Sequence, residues 1–150
     1  MSRPTPQQWQ SFLHREIPIT QAQGIEVVRL DARGIELRAP LALNHNDKAS
    51  GFAGSLFSLA VLAGWSQVML LLDECGIVGQ AVVSKSEVRF LAPAKADFSA
   101  RAEHPGAAQL AEFRGALQSK GRTRLPLEIA VEANSKRVMI LAARYAAVTG

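Results

Sequence analysis

A run of four polar residues, His45 to Lys48, stands directly before the most apolar stretch of the 150-residue chain. Asp47 is the carboxylate nearest to that junction and the best candidate for activating a water molecule. Asn46 cannot act as a base, but its amide can orient a carbonyl group or a water. Both residues also have a plainer explanation, because asparagine and aspartate are common in turns, where they satisfy neighbouring backbone groups.

The apolar stretch predicts one long helix, which ends near Cys75 and is too apolar to lie on a water-exposed surface. Backbone N–H groups at its start, around Gly54 and Ser55, have no partner within the helix. The helix dipole favours a carbonyl oxygen or an anion at this end, and Gly54 allows a ligand to approach closely. The alternative is that the side chains of Ser50 or Asn46 cap these N–H groups.

Serines recur along the predicted helix. Ser55 and Ser58 are closest to the loop and are candidates for lining a pocket, where Ser58 would bond a carbonyl or a water. A serine that bonds back to the preceding turn of its own helix is an equally good interpretation of Ser58, and it is the one we adopt for Ser66. A seam of small residues on the opposite side should let a sheet approach closely. That seam consists of Ala53, Ala60 and Gly64.

A short helix and a hairpin precede the loop. Thr5 and Pro6 are typical of a helix start, and this helix should end near Arg15, with His14 capping its last carbonyls. Two strand patterns follow, joined by a tight turn in which Gly34 is free to take a positive φ. These strands span residues 23–30 and 34–41.

Strand patterns dominate the chain after the long helix, whereas residues 107–121 fit a helix or a strand equally well. One long helix followed by several strands predicts an α+β fold in which a curved antiparallel sheet wraps the helix, within a single domain of residues 1–150. In the longest strand, alternation places Val82, Ser84, Ser86, Val88 and Phe90 on one face. The predicted strands span residues 77–92, 97–103, 125–132 and 136–148, with a hairpin turn at Asn134 and Ser135.

Composition excludes several classes of function. The net charge is +4, but no dense run of Lys and Arg typical of a nucleic-acid-binding arm is present. The single Cys75 excludes an internal disulfide and lies beside Asp73 and Glu74, which oppose thiolate formation. The three histidines show no metal-ligand spacing, so we expect no metal and no cofactor. Residues 1–10 lack the apolar core of a signal peptide, and residues 56–72 are barely long enough to cross a bilayer, which predicts a cytoplasmic protein.

Three segments carry a resemblance to a known family: HND at residues 45–47, FAGSLFSLAVLAGW at residues 52–65 and VRFLAPA at residues 88–94. With them the chain resembles the hotdog-fold thioesterases. The most similar is a small thioesterase-like family that also occurs as a C-terminal domain behind an acetyltransferase domain. The resemblance implies a hotdog fold and hydrolysis of acyl thioesters, of coenzyme A or of an acyl carrier protein, by direct attack of water.

The resemblance also implies a homodimer, or a dimer of dimers, whose sheets join edge to edge with the thioester at the subunit boundary. Glu87 would enter the neighbouring subunit's pocket, or instead pair with Lys85 or Arg89 on a solvated face. His45 receives no role and is interpreted as a surface loop residue. The candidate catalytic residues are Asn46, Asp47, Gly54, Ser55 and Ser58. The candidate substrate-binding residues are Phe52, Phe57, Glu87, Arg89 and Lys95, of which the two basic ones suit the phosphates of coenzyme A.

The chain departs from the family pattern at three positions. Many hotdog thioesterases have a His-Gly-Gly-type turn that leads into the central helix. By this resemblance, Phe52 stands at the position of the His and Ala53 at that of the first Gly. Val61 occupies the place, about two and a half turns into the helix, where a carboxylate is usual. One expected general base is therefore missing. These departures keep a non-catalytic acyl-thioester-binding protein as the alternative, and they argue against a dehydratase, whose chemistry needs a His and a carboxylate facing one site.

Overall fold

A computed structural model describes residues 2–150 of the chain, which form five helices and six strands. The helices are α1 (Pro6–Glu16), α2 (Ile19–Ala22), α3 (Leu41–Asn44), α4 (Ala53–Glu74) and α5 (Ala107–Lys120). The strands are β1 (Glu26–Asp31), β2 (Gly34–Ala39), β3 (Gly79–Phe90), β4 (Phe98–Glu103), β5 (Arg122–Ala133) and β6 (Lys136–Thr149). All six strands belong to one antiparallel sheet, in the order β1-β2-β4-β5-β6-β3. The predicted α+β fold, one sheet packed around one long helix, is confirmed.

The inner face of the sheet packs on α4. Along β6 every second side chain is buried against the helix, because successive residues of a strand point to opposite faces. These buried residues are Met139, Leu141, Ala143, Tyr145 and Ala147. On the other face of β6, Val138 is buried, but Ile140 is only half-buried.

Two of the three small residues predicted to form a seam do so. Ala60 and Gly64 are buried, whereas Ala53 is exposed at the helix start. The ring of Tyr145 lies directly over Gly64, and its hydroxyl donates to the Val61 carbonyl at 2.8 Å. Burial raises the pKa of Tyr145, so the hydroxyl stays protonated and keeps donating. The close approach of sheet and helix therefore depends on the absence of a side chain at position 64.

α4 is long and apolar enough to cross a membrane by length and composition, but 67% of its most apolar window is buried inside the protein. The sheet covers it, as expected of a core helix. The prediction of a buried helix agrees with this packing.

Several local predictions were wrong. β3 carries a bulge at Ser84, which moves Val82 to the outer face while Ser86 and Val88 stay on the inner face. His14 does not cap its own helix, since its Nε2 donates to the Ile25 carbonyl at 2.8 Å. Ser66 Oγ is buried without a partner among the described residues, so it does not bond back to the preceding turn.

The segment that fitted a helix or a strand equally well is helical over residues 107–120. α5 is followed by Gly121, whose φ of 73° is typical of a helix C-cap.

The two edges of the sheet differ. α1 covers part of the β1 edge, because Gln10 Oε1 accepts from the Val27 N–H at 3.0 Å and His14 bonds the Ile25 carbonyl. β3 pairs with β6 on one side only, and it exposes both Val82 and Val83. A long edge strand with exposed apolar side chains offers unpaired backbone groups to another strand.

Candidate active site

The polar loop before α4 is closed around the side chain of Asn46. Its Oδ1 accepts from the N–H groups of Lys48 at 2.9 Å and Ser50 at 3.1 Å, and from Ser50 Oγ at 3.2 Å. The Asn46 N–H in turn donates to the Ser50 carbonyl at 2.7 Å. Asn46 Oδ1 therefore satisfies neighbouring backbone groups, as expected of a loop asparagine. Asn46 Nδ2 makes no hydrogen bond to another described residue.

The start of α4 has free donors. Phe52 is the N-cap and supplies no side-chain cap, and its carbonyl accepts from both Ser55 at 2.9 Å and Leu56 at 3.0 Å. The N–H groups of Ala53 and Gly54 are left without a protein partner within the described residues. Ser50 and Asn46 bond each other and do not cap this helix. The free pair is therefore Ala53 and Gly54, one residue earlier than predicted, because the Ser55 N–H is engaged.

The ring of Phe52 folds back over Gly54. A Cβ added at position 54 would lie 2.6 Å from Phe52 Cε2, so only glycine fits beneath the ring in this arrangement. Phe52 is nevertheless 54% exposed. An apolar, partly exposed ring thus lies beside the two free N–H groups, where it can shield a bound carbonyl from water.

Ser58 lies one turn into α4 and has a partner that the sequence did not suggest. Gln23 Nε2 donates to Ser58 Oγ at 2.9 Å, and Ser58 Oγ donates to the Ser55 carbonyl at 3.3 Å. Gln23 lies 35 positions earlier, just after α2. The back-bonding interpretation of Ser58 agrees with this geometry, but the hydroxyl is also oriented by a second residue. Ser55 itself is buried.

Asn44 anchors the approach to the loop and was also missed. Its Nδ2 donates to the carbonyls of Gln23 and Pro40, both at 2.8 Å, and its own carbonyl accepts from the Phe52 N–H at 2.8 Å. Asn44 therefore connects the Gln23 segment to the N-cap of α4. A buried amide in a short helix gives no local sequence signal, so only the fold reveals this link.

The predicted ionisable residues are exposed to solvent. The Asp47 side chain is 81% exposed, with Lys48 Nζ at 3.3 Å, as expected of an exposed turn aspartate. His45 is an exposed loop residue. Glu87 and Arg89 lie on the outer face of β3, opposite Ala142 and Ile140 of β6, and so face away from α4 of their own chain. Phe57 is half-buried against the core.

Lys95 is the basic residue that the fold brings towards the loop. The preceding residue, Ala94, accepts at its carbonyl from the Gly51 N–H at 2.8 Å, so the β3–β4 connection runs beside the entry to α4. Asp97 fixes that connection, since its carboxylate accepts from the Leu41 N–H at 2.8 Å and from Arg38 at 2.7 Å. The Leu41 N–H first, and the Arg38 hydrogen bond second, lower the pKa of Asp97.

Within residues 2–150 no three His, Cys, Asp or Glu side chains are arranged to hold a metal ion. What the junction offers is two unpaired N–H groups at the positive end of a 22-residue helix, an oriented hydroxyl and an apolar ring. That arrangement can polarise a carbonyl and position a small nucleophile.

Comparison with known proteins gives the family. Residues 6–149 match a family described as "Putative thioesterase (yiiD_Cterm)". The chain belongs to this family. The match includes the loop, α4 and all six strands, so the family assignment covers the candidate active site and agrees with the resemblance in the sequence.

Solved structures agree with this assignment. A protein of unknown function from Chlorobaculum tepidum is 30% identical, with a TM-score of 0.91 over 99% of both chains. A Pseudomonas aeruginosa protein described as a probable thioesterase is 26% identical, with a TM-score of 0.85 over 98% of both chains. A thioesterase from Haemophilus influenzae shares the fold at 14% identity, with a TM-score of 0.76 over 99% of this chain and 93% of its own. The predicted hotdog fold and the predicted enzyme class, a thioester hydrolase, are confirmed.

Proposed function

We propose that the protein hydrolyses acyl thioesters of coenzyme A or of an acyl carrier protein by direct attack of water, without a cofactor. The free N–H groups of Ala53 and Gly54 carry this proposal. They lie at the positive end of α4, where the carbonyl oxygen of a thioester would gain negative charge during attack. Fixed donors at that position stabilise the developing oxyanion more than they stabilise the neutral carbonyl.

The attacking water would bind at Ser58, whose hydroxyl Gln23 orients. A base takes one proton from the water as the water oxygen adds to the carbonyl carbon, the C–S bond then breaks, and the departing thiolate takes that proton from the base and leaves as a thiol. Asn46 would donate from its unengaged Nδ2 to the thioester or to the water. Asp47, the nearest carboxylate in sequence, is the proposed base, and Val61 leaves the usual carboxylate position of the helix without an acid.

Surface features support the proposed substrates and the proposed assembly. Lys95 is exposed beside the loop and suits the phosphates of coenzyme A or of a carrier-protein arm, as Arg89 does from the outer face. The open β3 edge supports a homodimer, or a dimer of dimers, in which Glu87 of one subunit approaches the site of its partner. Phe52 and Phe57 would contact the acyl group, and a cytoplasmic location would supply such thioesters.

The test is hydrolysis of a panel of acyl-CoA thioesters, short, long and aromatic, followed by release of free thiol. Asn46→Asp keeps the oxygen that closes the loop, replaces the Nδ2 donor by a second oxygen and adds a negative charge that would oppose the developing oxyanion. We expect thiol release by the wild type and a loss of roughly 10-fold or more in kcat for Asn46→Asp. A similar loss in Asp47→Asn would support its role as base, and an unchanged rate would move that role to Glu87.

The alternative, a non-catalytic acyl-thioester binder, is favoured by Phe52 and Val61, which replace the His and the carboxylate of the family pattern. Direct binding of a non-hydrolysable acyl-CoA thioether separates the two functions. Saturable binding without thiol release from any thioester would establish the binder and overturn the hydrolase.

A further inference from the structure

One side of α4 is covered less than the others. With about 3.6 residues per turn, Phe57, Val61 and Trp65 fall on the same side of the helix as Gly54. The first three are only half-buried, although they pack against the core, and Gly54 is exposed. No ionisable residue occurs in α4 before Asp73. These four residues, 54, 57, 61 and 65, form an apolar open strip along the helix.

The inner face of β3 runs beside the open strip. Val83 and Val88 pair with Tyr145 and Leu141 of β6, whose side chains are buried on the inner face, so both valines face the same side as α4. Val83 is nevertheless 40% exposed and Val88 is half-buried. β3 therefore forms an apolar wall along the strip without covering it.

The strip begins at the proposed site of catalysis. The free N–H groups of Ala53 and Gly54 lie at its start, and the Ser58 hydroxyl, oriented by Gln23, lies one turn further on. An acyl group whose carbonyl oxygen binds at these N–H groups has apolar surface available in one direction only, along the helix towards Trp65.

Trp65 joins the two sides of the strip. Its indole Nε1 donates to the Ala81 carbonyl of β3 at 2.9 Å. Its ring stacks on Phe12 of α1, with 6.5 Å between the ring centroids and 5° between the ring planes, and the Trp9 ring lies at 6.3 Å. One hydrogen bond and two aromatic contacts therefore hold the indole between β3 and α1.

Beyond Trp65 the same side of α4 is covered. Val68 and Leu72 continue this side by one and two turns, and they are 0% and 2% exposed. A Cβ at Gly79 would lie 3.4 Å from Leu72 Cδ2, so the start of β3 contacts the helix here. The strip is therefore open towards the N-terminus of α4 and closed at Trp65.

The length of the strip sets a limit on what it can hold. Gly54 and Trp65 are eleven residues apart, which corresponds to about 16 Å along a helix. The thioester carbonyl and the indole ring occupy the two ends. An extended alkyl chain advances about 1.3 Å per carbon with C–C bonds of about 1.5 Å, so the remaining length fits roughly eight to ten carbons.

Resting on the proposed thioesterase function, we propose that the open strip binds the acyl chain and that Trp65 makes the protein selective for medium-chain fatty acyl thioesters. A shorter chain leaves part of the strip in contact with water and gains less from apolar burial. A longer chain meets the indole ring, whose hydrogen bond and aromatic contacts keep it in place.

The dependence of kcat/KM on chain length tests this proposal. Thiol release is measured with butanoyl-, octanoyl-, dodecanoyl- and hexadecanoyl-CoA, each below its micelle concentration. We expect a maximum at octanoyl-CoA, with kcat/KM roughly ten-fold or more above that for butanoyl-CoA, because each buried methylene contributes up to about four-fold. A rate independent of chain length would overturn the proposal.

Two variants should move the maximum in opposite directions. Trp65→Leu opens the end of the strip and should shift the maximum towards dodecanoyl-CoA. Val61→Phe fills the strip earlier and should shift it towards butanoyl-CoA. A general loss of stability would instead lower all the rates alike, so a maximum that neither variant moves would contradict the role of the strip. Val148→Phe, 42% exposed on the outer face of β6, is the matched control and should keep the wild-type maximum.

Binding of non-hydrolysable acyl-CoA thioethers of the same chain lengths separates this proposal from the hydrolase. Tightest binding of the octanoyl thioether without hydrolysis of any thioester would overturn the hydrolase and keep the strip. Hydrolysis without chain-length preference would do the reverse, and neither binding nor hydrolysis would overturn both. Light scattering after gel filtration gives the mass of each variant. A changed mass with an unchanged chain-length profile in both Trp65→Leu and Val61→Phe would mean that a second copy fills the strip, which would also overturn the proposal.

Discussion

Ser58 and Gln23 form a pair whose parts have different roles in the proposed reaction. Ser58 would touch the attacking water, whereas Gln23 acts through Ser58 by fixing its hydroxyl at 2.9 Å. We expect Ser58→Ala to lower kcat roughly 10- to 100-fold with little change in KM, because the water loses its orientation but the acyl chain keeps its contacts. Gln23→Met should lower kcat less, and in the Ser58→Ala background it should add nothing. Thiol-release kinetics measure both.

A second serine of the same helix is the control. Ser66 is fully buried, and its hydroxyl has no partner among the described residues. Ser66→Ala should therefore leave kcat unchanged, since it removes the same hydroxyl group two turns away from the proposed site. A loss of kcat in Ser66→Ala as large as in Ser58→Ala would show that serine truncation acts through the helix and not through water.

Asp97 makes the β3–β4 connection, which runs beside the proposed active site, sensitive to acid. Its folded pKa is lowered, first by the Leu41 N–H, from the ordinary value of 3.8. The stabilisation by the carboxylate is therefore present above pH 3.8 and is lost as pH falls through the lower folded pKa. We expect Asp97→Asn to reduce the free energy of unfolding at pH 6, and the gap to the wild type to close below about pH 3.8. Urea unfolding of both proteins at a series of pH values measures this difference in the free energy of unfolding.

Arg38→Gln separates the two partners of Asp97. It removes the charged partner at 2.7 Å and keeps the Leu41 N–H, the larger cause of the lowered pKa. The pH-dependent loss should therefore be smaller than in Asp97→Asn. An equal loss in both variants would mean that the ion pair, and not the backbone hydrogen bond, fixes the β3–β4 connection.

The packing of β6 on α4 depends on Gly64. A Cβ at this position would overlap the hydroxyl and ring of Tyr145. We expect Gly64→Ala to lower the free energy of unfolding by about 1–3 kcal/mol, although alanine favours a helix, because overpacking forces the sheet away. In a Tyr145→Phe background the cost should shrink, since the hydroxyl that meets the new methyl is gone. Urea unfolding of the four proteins gives the coupling.

Gly115 provides the comparison within the same chain. It also lies in a helix, α5, but a Cβ there would meet no atom within 4 Å. Gly115→Ala should therefore stabilise the protein by up to about 1 kcal/mol through helix propensity alone. Destabilisation of equal size at both glycines would contradict a specific contact with Tyr145.

Local patterns predicted most of these elements. Alternation in β5 works because one face is buried, and Asn134 and Ser135, with φ of 51° and 61°, make the turn to β6 as their sequence indicated. β3 was harder, because it is exposed on both faces, so no hydrophobic alternation marks the bulge at Ser84. For α5 the four-residue spacing of Phe113 and Leu117 was present, but it became decisive only with their burial.

The candidate site was predictable only in part. A loop that leads into a helix N-terminus can be recognised from consecutive residues, and the free N–H groups follow from helix geometry. Which N–H groups remain unpaired depends on the Phe52 carbonyl. This carbonyl accepts from the Ser55 N–H, so the Ala53 N–H is the one left without a protein partner. The Gln23–Ser58 contact joins segments 35 residues apart, and no local spacing encodes such a pair.

The open β3 edge predicts how the protein assembles. Unpaired backbone groups and exposed valines along this strand favour pairing with the same strand of a second copy. We expect light scattering after gel filtration to give twice the mass of the chain, or four times that mass. Val82→Glu, on the outer face of β3, should shift the mass towards the monomer, because it places a charge on an exposed apolar position of the edge strand.

Ile19→Glu is the matched control for this edge. Ile19 in α2 is 61% exposed and Val82 is 60% exposed, so both substitutions place a carboxylate where an exposed apolar side chain stood. Ile19→Glu should keep the mass and the thioesterase rate of the wild type. If the partner completes the site, thioester hydrolysis by Val82→Glu should fall with dilution in parallel with dissociation, and raising its concentration should restore it. A monomeric Val82→Glu protein with full activity would instead place every catalytic group within one chain and remove Glu87 of the partner from the mechanism.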